Sequence, residues 1–230
     1  MMGISIPLLT IAALTNGLNP CGIGMLITFL GYLLVFGNRG KEKNWILKIG
    51  IVYILSVFVT YLVTGLLFYG VAYYIQRWWL AGVFKYIIGG ALGIAGLIQL
   101  KDVFFQDLPI HLRMPMKGFE KLTKLMATAS IGMTALIGFL TTVFSTPCML
   151  PLYAGTTAVI ARSGLGMTKV LGLFLYYNLI FILPLIVILL VMAGGKQIVD
   201  MKEWEHKNTK WMRFILGIAL VLVGIWISFR

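Results

Sequence analysis

Two cysteines, Cys21 and Cys148, are the only ones in a chain of 230 residues. Each directly follows a proline inside a long apolar stretch: Asn19-Pro20-Cys21-Gly22 in the first, Ser145-Thr146-Pro147-Cys148-Met149-Leu150-Pro151 in the second. A pair of thiols carries two electrons that the corresponding disulfide lacks, and exchange passes through a mixed disulfide. Two thiols in matching, helix-breaking settings therefore point to thiol–disulfide chemistry inside a membrane.

Proline has no amide hydrogen and clashes with the preceding turn, so it breaks a helix or starts one. Asn19-Pro20-Cys21 reads as N-cap, N1 and N2, since asparagine caps well and proline suits the first helical position. Thr146-Pro147-Cys148 repeats the pattern with a threonine cap. Each thiol then sits in the first turn of a half-helix, where the positive dipole end favours thiolate. Burial in hydrocarbon raises a thiol pKa; a wet cavity at the break would decide in favour of thiolate, and the sequence leaves that open. A membrane cysteine is ordinarily a small buried hydrophobe, but the shared setting and the absence of other cysteines argue against that here. Pro7 and Pro184 read as plain kinks, while Pro151 could extend the second break.

The elements that must position these thiols are membrane helices. Hydrophobic residues make up 60% of the chain, charged residues 11%, and mean hydropathy is +0.97, far from a soluble domain. Apolar stretches long enough to cross fall near 4–36, 46–75, 79–100, 127–161, 168–193 and 212–229. The first and fourth are too long for one straight crossing, and each holds a Pro-Cys interruption. The N-terminus lacks a basic region before its apolar run, so the first stretch reads as a retained span rather than a cleaved signal.

The net charge of +12 follows membrane topology rather than nucleic-acid binding. Connections 38–48, 101–126 and 196–213 carry four, five and five Lys and Arg; the alternate positions 76–85, 162–169 and Arg230 carry two, two and one. Fourteen against five is the positive-inside bias. It places the three basic loops in the cytoplasm and both termini outside, in a multi-pass protein of the cytoplasmic membrane.

An internal repeat sets the halves. Residues 85–100 align with 213–228 at an offset of 128, matching Ile87 with Ile215, Gly89 with Gly217, Ala91 with Ala219, Leu92 with Leu220 and Gly96 with Gly224. The cysteines differ by 127, nearly the same offset, which supports a duplication. Three spans per copy force the second to cross in the opposite sense. The expected fold is an all-α polytopic membrane protein of six helices in two inverted three-helix repeats, 1–100 and 127–230, with helices 1 and 4 broken at Pro-Cys. Paired interrupted helices in corresponding positions mark a midplane site. Residues 101–126 read as a cytoplasmic linker and 196–211 as a similar loop, with Trp204 and Trp211 as interface anchors.

Other chemistries lack their residues. No Asp, Glu or His falls within an expected span, which argues against a carboxylate proton relay. His111 and His206 lie in polar connections, so paired haem ligands are missing. Met25 and Met149 lie near the cysteines, where soft-metal binding is conceivable but packing is commoner. No cofactor and no resident metal is expected.

Six spans in inverted halves, Pro20-Cys21 in the first, Pro147-Cys148-Met149-Leu150-Pro151 in the fourth and glycine-rich third and sixth spans together resemble the CcdA family. These are cytochrome c biogenesis proteins related to the transmembrane domain of DsbD. The resemblance covers nearly the whole chain. It implies electron transport across the membrane: cytoplasmic thioredoxin would reduce a Cys21–Cys148 disulfide, and the dithiol would reduce an extracytoplasmic thioredoxin-like protein, for cytochrome c maturation. The redox roles carry over to Cys21 and Cys148 only, with Asn19, Pro20, Thr146, Pro147 and Pro151 in support. One departure is Gly24, which stands where the family's first motif often has a second proline and aligns with Pro151.

The function expected is thus a two-cysteine relay, a thiol–disulfide oxidoreductase rather than a conventional enzyme. Gly17, Gly22, Gly24 and Gly155 serve either as hinges for alternating access or as close-packing positions. The alternative is a small-solute or soft-metal transporter that uses the cysteines as copper or mercury ligands.

Overall fold

A computed structural model describes residues 6–36, 43–77, 81–104, 130–162, 166–194 and 198–229, and every regular element among them is an α-helix. In chain order these are α1 (Ile6–Gly17), α2 (Pro20–Phe36), α3 (Lys43–Arg77), α4 (Ala81–Phe104), α5 (Ile131–Arg162), α6 (Met167–Ala193) and α7 (Ile198–Phe229). Among the described residues, Lys43–Ala72, Met167–Ala193 and Asp200–Ile225 are each long and apolar enough to cross a membrane. The pair Leu9–Gly17 and Pro20–Leu34, bent by 42°, makes a fourth when taken together.

The outward faces are apolar. On α3, Leu55, Val59, Val63, Leu67 and Val71 form an exposed row spaced by four, and Leu175, Leu179, Leu183 and Val187 repeat it on α6. A row at i, i+4 lies on one helix face, and exposed apolar surface on this scale marks a membrane-facing wall.

The first expected break is present: α1 ends at Gly17 and α2 begins at Pro20. The second is corrected. α5 runs unbroken from Ile131 to Arg162, through Pro147 and Cys148. Threonines flank the proline on the same helix: Thr142 Oγ1 donates to the Gly138 carbonyl at 3.0 Å, and Thr146 Oγ1 to the Thr142 carbonyl at 3.1 Å. Membrane helices tolerate proline in their interior more readily than soluble ones. Thr146 is therefore not an N-cap; its hydroxyl points back along a continuing helix.

The expected loop 196–211 is also corrected, because α7 starts at Ile198 and is helical throughout. Asp200 in its first turn suits the helix dipole, and Lys202 pairs with Glu205 at i, i+3, 3.1 Å apart. Trp204 and Trp211 remain exposed on that helix. Of the expected linker 101–126, residues 101–104 complete α4 and the remainder lies outside the described residues. Pro184 sits inside an unbroken α6.

Small residues let the helices approach. A Cβ on Gly96 would stand 2.9 Å from the Gly217 carbonyl oxygen, one on Gly217 would stand 3.2 Å from the Gly96 carbonyl oxygen, and one on Gly224 would stand 2.9 Å from the Gly89 carbonyl oxygen. These contacts join α4 to α7 backbone to backbone, the packing that small residues allow in membranes. Between α3 and α5, Gly138 rests on the Tyr53 carbonyl and Ser56, and Ser56 Oγ donates to the Ala135 carbonyl at 2.6 Å. At the end of α4 the fully buried Asp102 carboxylate meets Lys101 at 3.2 Å and Arg213 of α7 at 3.6 Å.

Candidate functional site

The break between α1 and α2 is built by its own residues. The Cys21 amide donates to Asn19 Oδ1 at 2.9 Å, and the Asn19 carbonyl accepts from the Ile23 amide at 3.2 Å. Asn19 is thus the N-cap, Pro20 N1 and Cys21 N2, as the sequence implies. At the end of α1 the Leu14 carbonyl accepts from the Leu18 amide and the Asn16 carbonyl from the Asn19 amide, which closes the helix before the turn. Asn19 is buried and Cys21 partly so. Cys21 is disulfide-bonded, and Cys148 is the one other cysteine in the sequence. The side chains of Pro147, Cys148 and Pro151 lie outside the described residues.

The fold brings the two Pro-Cys segments together. Gly22, which follows Cys21, lies so close to Met149, which follows Cys148, that a Cβ on the glycine would stand 2.8 Å from the methionine methyl. A small cavity lies between the segments. Gly17 and Gly22 wall it from the first, Ser145 and Met149 from the second, and Tyr53, Tyr61 and Phe181 close it.

No family model, curated protein or solved structure matches this chain.

Around this cavity the core is aromatic and polar together. Tyr61 donates its hydroxyl to the Met149 sulfur, holding the side chain that touches Gly22. Tyr153 donates to the Tyr61 carbonyl at 2.8 Å, and its ring meets Tyr61 edge-on with centroids 5.7 Å apart. Tyr177 packs on Tyr153 at 5.3 Å, and Phe181 on Tyr61 at 4.6 Å. Asn178, fully buried, donates to the Phe174 carbonyl at 2.8 Å. The rings supply apolar bulk while the Tyr61 and Tyr153 hydroxyls bond, so the bundle core holds polar groups without breaking its packing.

Two features of the site escaped the sequence reading. Glu205, assigned there to a loop, lies on α7 with its carboxylate against Gly24: a Cβ on Gly24 would stand 2.7 Å from Glu205 Oε1. Gly24 is one turn beyond Cys21 and on the same helix face, so a half-buried acid occupies the space a side chain at 24 would need. The one signal in the sequence was the glycine itself. The tyrosines were missed because a single Tyr in an apolar run reads as ordinary core; their convergence is tertiary. The candidate hinge glycines are packing positions: Gly17 lies against the Phe181 carbonyl and Pro184, Gly22 against Met149, Gly24 against Glu205 and Gly155 against Leu92.

Proposed function

We propose that the protein is a transmembrane thiol–disulfide relay in which Cys21 and Cys148 form the exchanging pair. The observation that carries this reading is the contact of Gly22 with Met149, which ties the neighbours of both cysteines together while Cys21 is held in a disulfide. A metal carrier would need both thiols free as ligands, so the disulfide favours the relay.

In the proposed cycle, a thiolate of reduced cytoplasmic thioredoxin attacks one sulfur of the Cys21–Cys148 disulfide. The S–S bond breaks, a mixed disulfide forms and the other cysteine leaves as thiolate. The second thioredoxin thiolate then resolves the mixed disulfide, leaving oxidised thioredoxin and a reduced Cys21/Cys148 pair. The same steps in reverse deliver the two electrons to an oxidised thioredoxin-like protein outside, serving cytochrome c maturation. One buried pair serves both sides only if each side reaches it in turn.

Six spans in two inverted three-helix halves would supply that alternation. The glycine contacts support such a symmetry. Shifted by the repeat offset of 128, Gly96 becomes Gly224 and Gly217 corresponds to Gly89, so the Gly96–Gly217 contact maps onto the Gly224–Gly89 contact, which is also present. The unbroken α5 against the divided α1–α2 marks a difference between the halves.

The test is partner capture. In a Cys21→Ser variant the Cys148 thiolate should attack the activated mixed disulfide of a thioredoxin that lacks its resolving cysteine, expel the small thiol leaving group and hold that thioredoxin as a stable mixed disulfide without turnover. Normal delivery of reducing power across the membrane by that variant would overturn the relay.

A further inference from the structure

We propose that the cavity between the two Pro-Cys segments is a water-binding site, and that ordered water there hydrates the break at Cys21. Two hydroxyls that line it, Ser145 and Thr141, are almost wholly buried, and their oxygens complete no hydrogen bond with the protein. Just behind Gly17, both side-chain atoms of Asn16 and the Tyr177 hydroxyl are in the same condition. Tyr177 lies near Asn16 and Thr156, yet at no geometry that completes a bond, and Tyr53 stands beside Thr141 in the same way. Each orphaned buried group costs about 1–3 kcal/mol if left dry, and native proteins rarely leave such groups together.

The site meets the requirements for water. It has room for about one molecule, and a buried water needs two to four polar partners. Thr141 and Ser145 supply them from α5, and Tyr53 and the oxygen of Tyr61 from α3. Tyr61 and Thr142 also line a second, larger cavity bounded by Thr60, Thr64, Thr146 and Tyr153. Threonine and tyrosine hydroxyls therefore continue from the first space into the second, along the seam of α3 and α5. Groups separated by slightly more than bonding distance are bridged by water at nearly the enthalpy of a direct bond.

The water site stands on this geometry; its role rests on the relay reading. Water at the break would lower the cost of a charged sulfur at Cys21, which dry burial raises.

Hydroxyl-radical footprinting by X-ray radiolysis in oxygen-18 water tests the site in the whole protein in nanodiscs. Radicals form where water is held, so buried side chains beside bound water become labelled. Met149 is 3% exposed, while Met25 and Met192 are each 2% exposed and away from the cavity. Met149 should be labelled several-fold faster than both, and Ser145→Val, which fills the space and removes the hydroxyl, should bring it down to their rate. Equal labelling of the three methionines in the unaltered protein would overturn the proposal. Thr141→Val gives a second, independent route to the same loss should Ser145→Val fail to fold. Failure of thioredoxin to reduce the protein would defeat the relay and leave the labelling pattern intact, so the two outcomes are separable.

Discussion

Gly22 and Met149, the residues that follow the two cysteines, are in contact across the bundle, with only 2.8 Å between the methionine methyl and the position a Cβ on the glycine would take. The atom that must yield is the end of an unbranched, three-torsion side chain, which adapts readily. Gly22→Ala should therefore cost less than about 1 kcal/mol, whereas Gly22→Leu overpacks the site by roughly 1–3 kcal/mol. Unfolding titrations in mixed micelles measure both. The same loss from the two substitutions would mean that the segments do not meet here.

Asn19 holds the turn that presents Cys21. Asn19→Ala removes the acceptor of the Cys21 amide and should cost about 1 kcal/mol, while Asn19→Asp, which keeps a cap oxygen, should cost less. The rate at which dithiothreitol reduces the disulfide should change in Asn19→Ala and stay near the original in Asn19→Asp. Indistinguishable rates in all three proteins would remove the cap from the mechanism.

Gly24 and Glu205 should be energetically coupled. A Cβ at 24 meets the carboxylate oxygen at 2.7 Å, so Gly24→Ala alone displaces Glu205 from its place beside Lys202. Truncating the acid removes the conflict. A double-mutant cycle with Glu205→Ala should show an interaction of about 1 kcal/mol, within the range for residues in contact. Strict additivity would contradict the placement of α7 against α2.

Asp102 clamps α4 to α7 through Arg213. Removing one partner of a buried ion pair leaves the other charge uncompensated, at a cost of roughly 3–5 kcal/mol. Asp102→Ala should therefore destabilise the protein severely, and the double variant with Arg213→Met should recover part of the loss. No recovery would assign the acid some other role.

The first helix break was legible because Asn-Pro-Cys encodes cap, N1 and N2 locally, and local chemistry suffices there. The second was not: Thr146-Pro147-Cys148 offers the same order of cap residue, proline and cysteine as Asn19-Pro20-Cys21, but the helix continues through it and Thr146 bonds back to the Thr142 carbonyl. Whether proline starts a helix or is carried inside one depends on those neighbours and on the packing of α5. The polar run 198–211 looked like a loop by composition, yet its i, i+3 pair and lack of glycine or proline let it extend α7. The glycines that join α4 to α7 stood out in the sequence, because backbone contact admits no side chain. The tyrosine cluster and the Glu205 contact join residues far apart in the chain, and no spacing encodes them.

The most direct test of the relay is intact mass and non-reducing peptide mapping of the purified protein before and after incubation with reduced thioredoxin. The account predicts one cross-linked peptide joining Cys21 to Cys148, lost on treatment with a gain of about two daltons as two electrons and two protons are taken up. Free thiols at both positions in the oxidised protein, or a cross-link that thioredoxin leaves untouched, would contradict it.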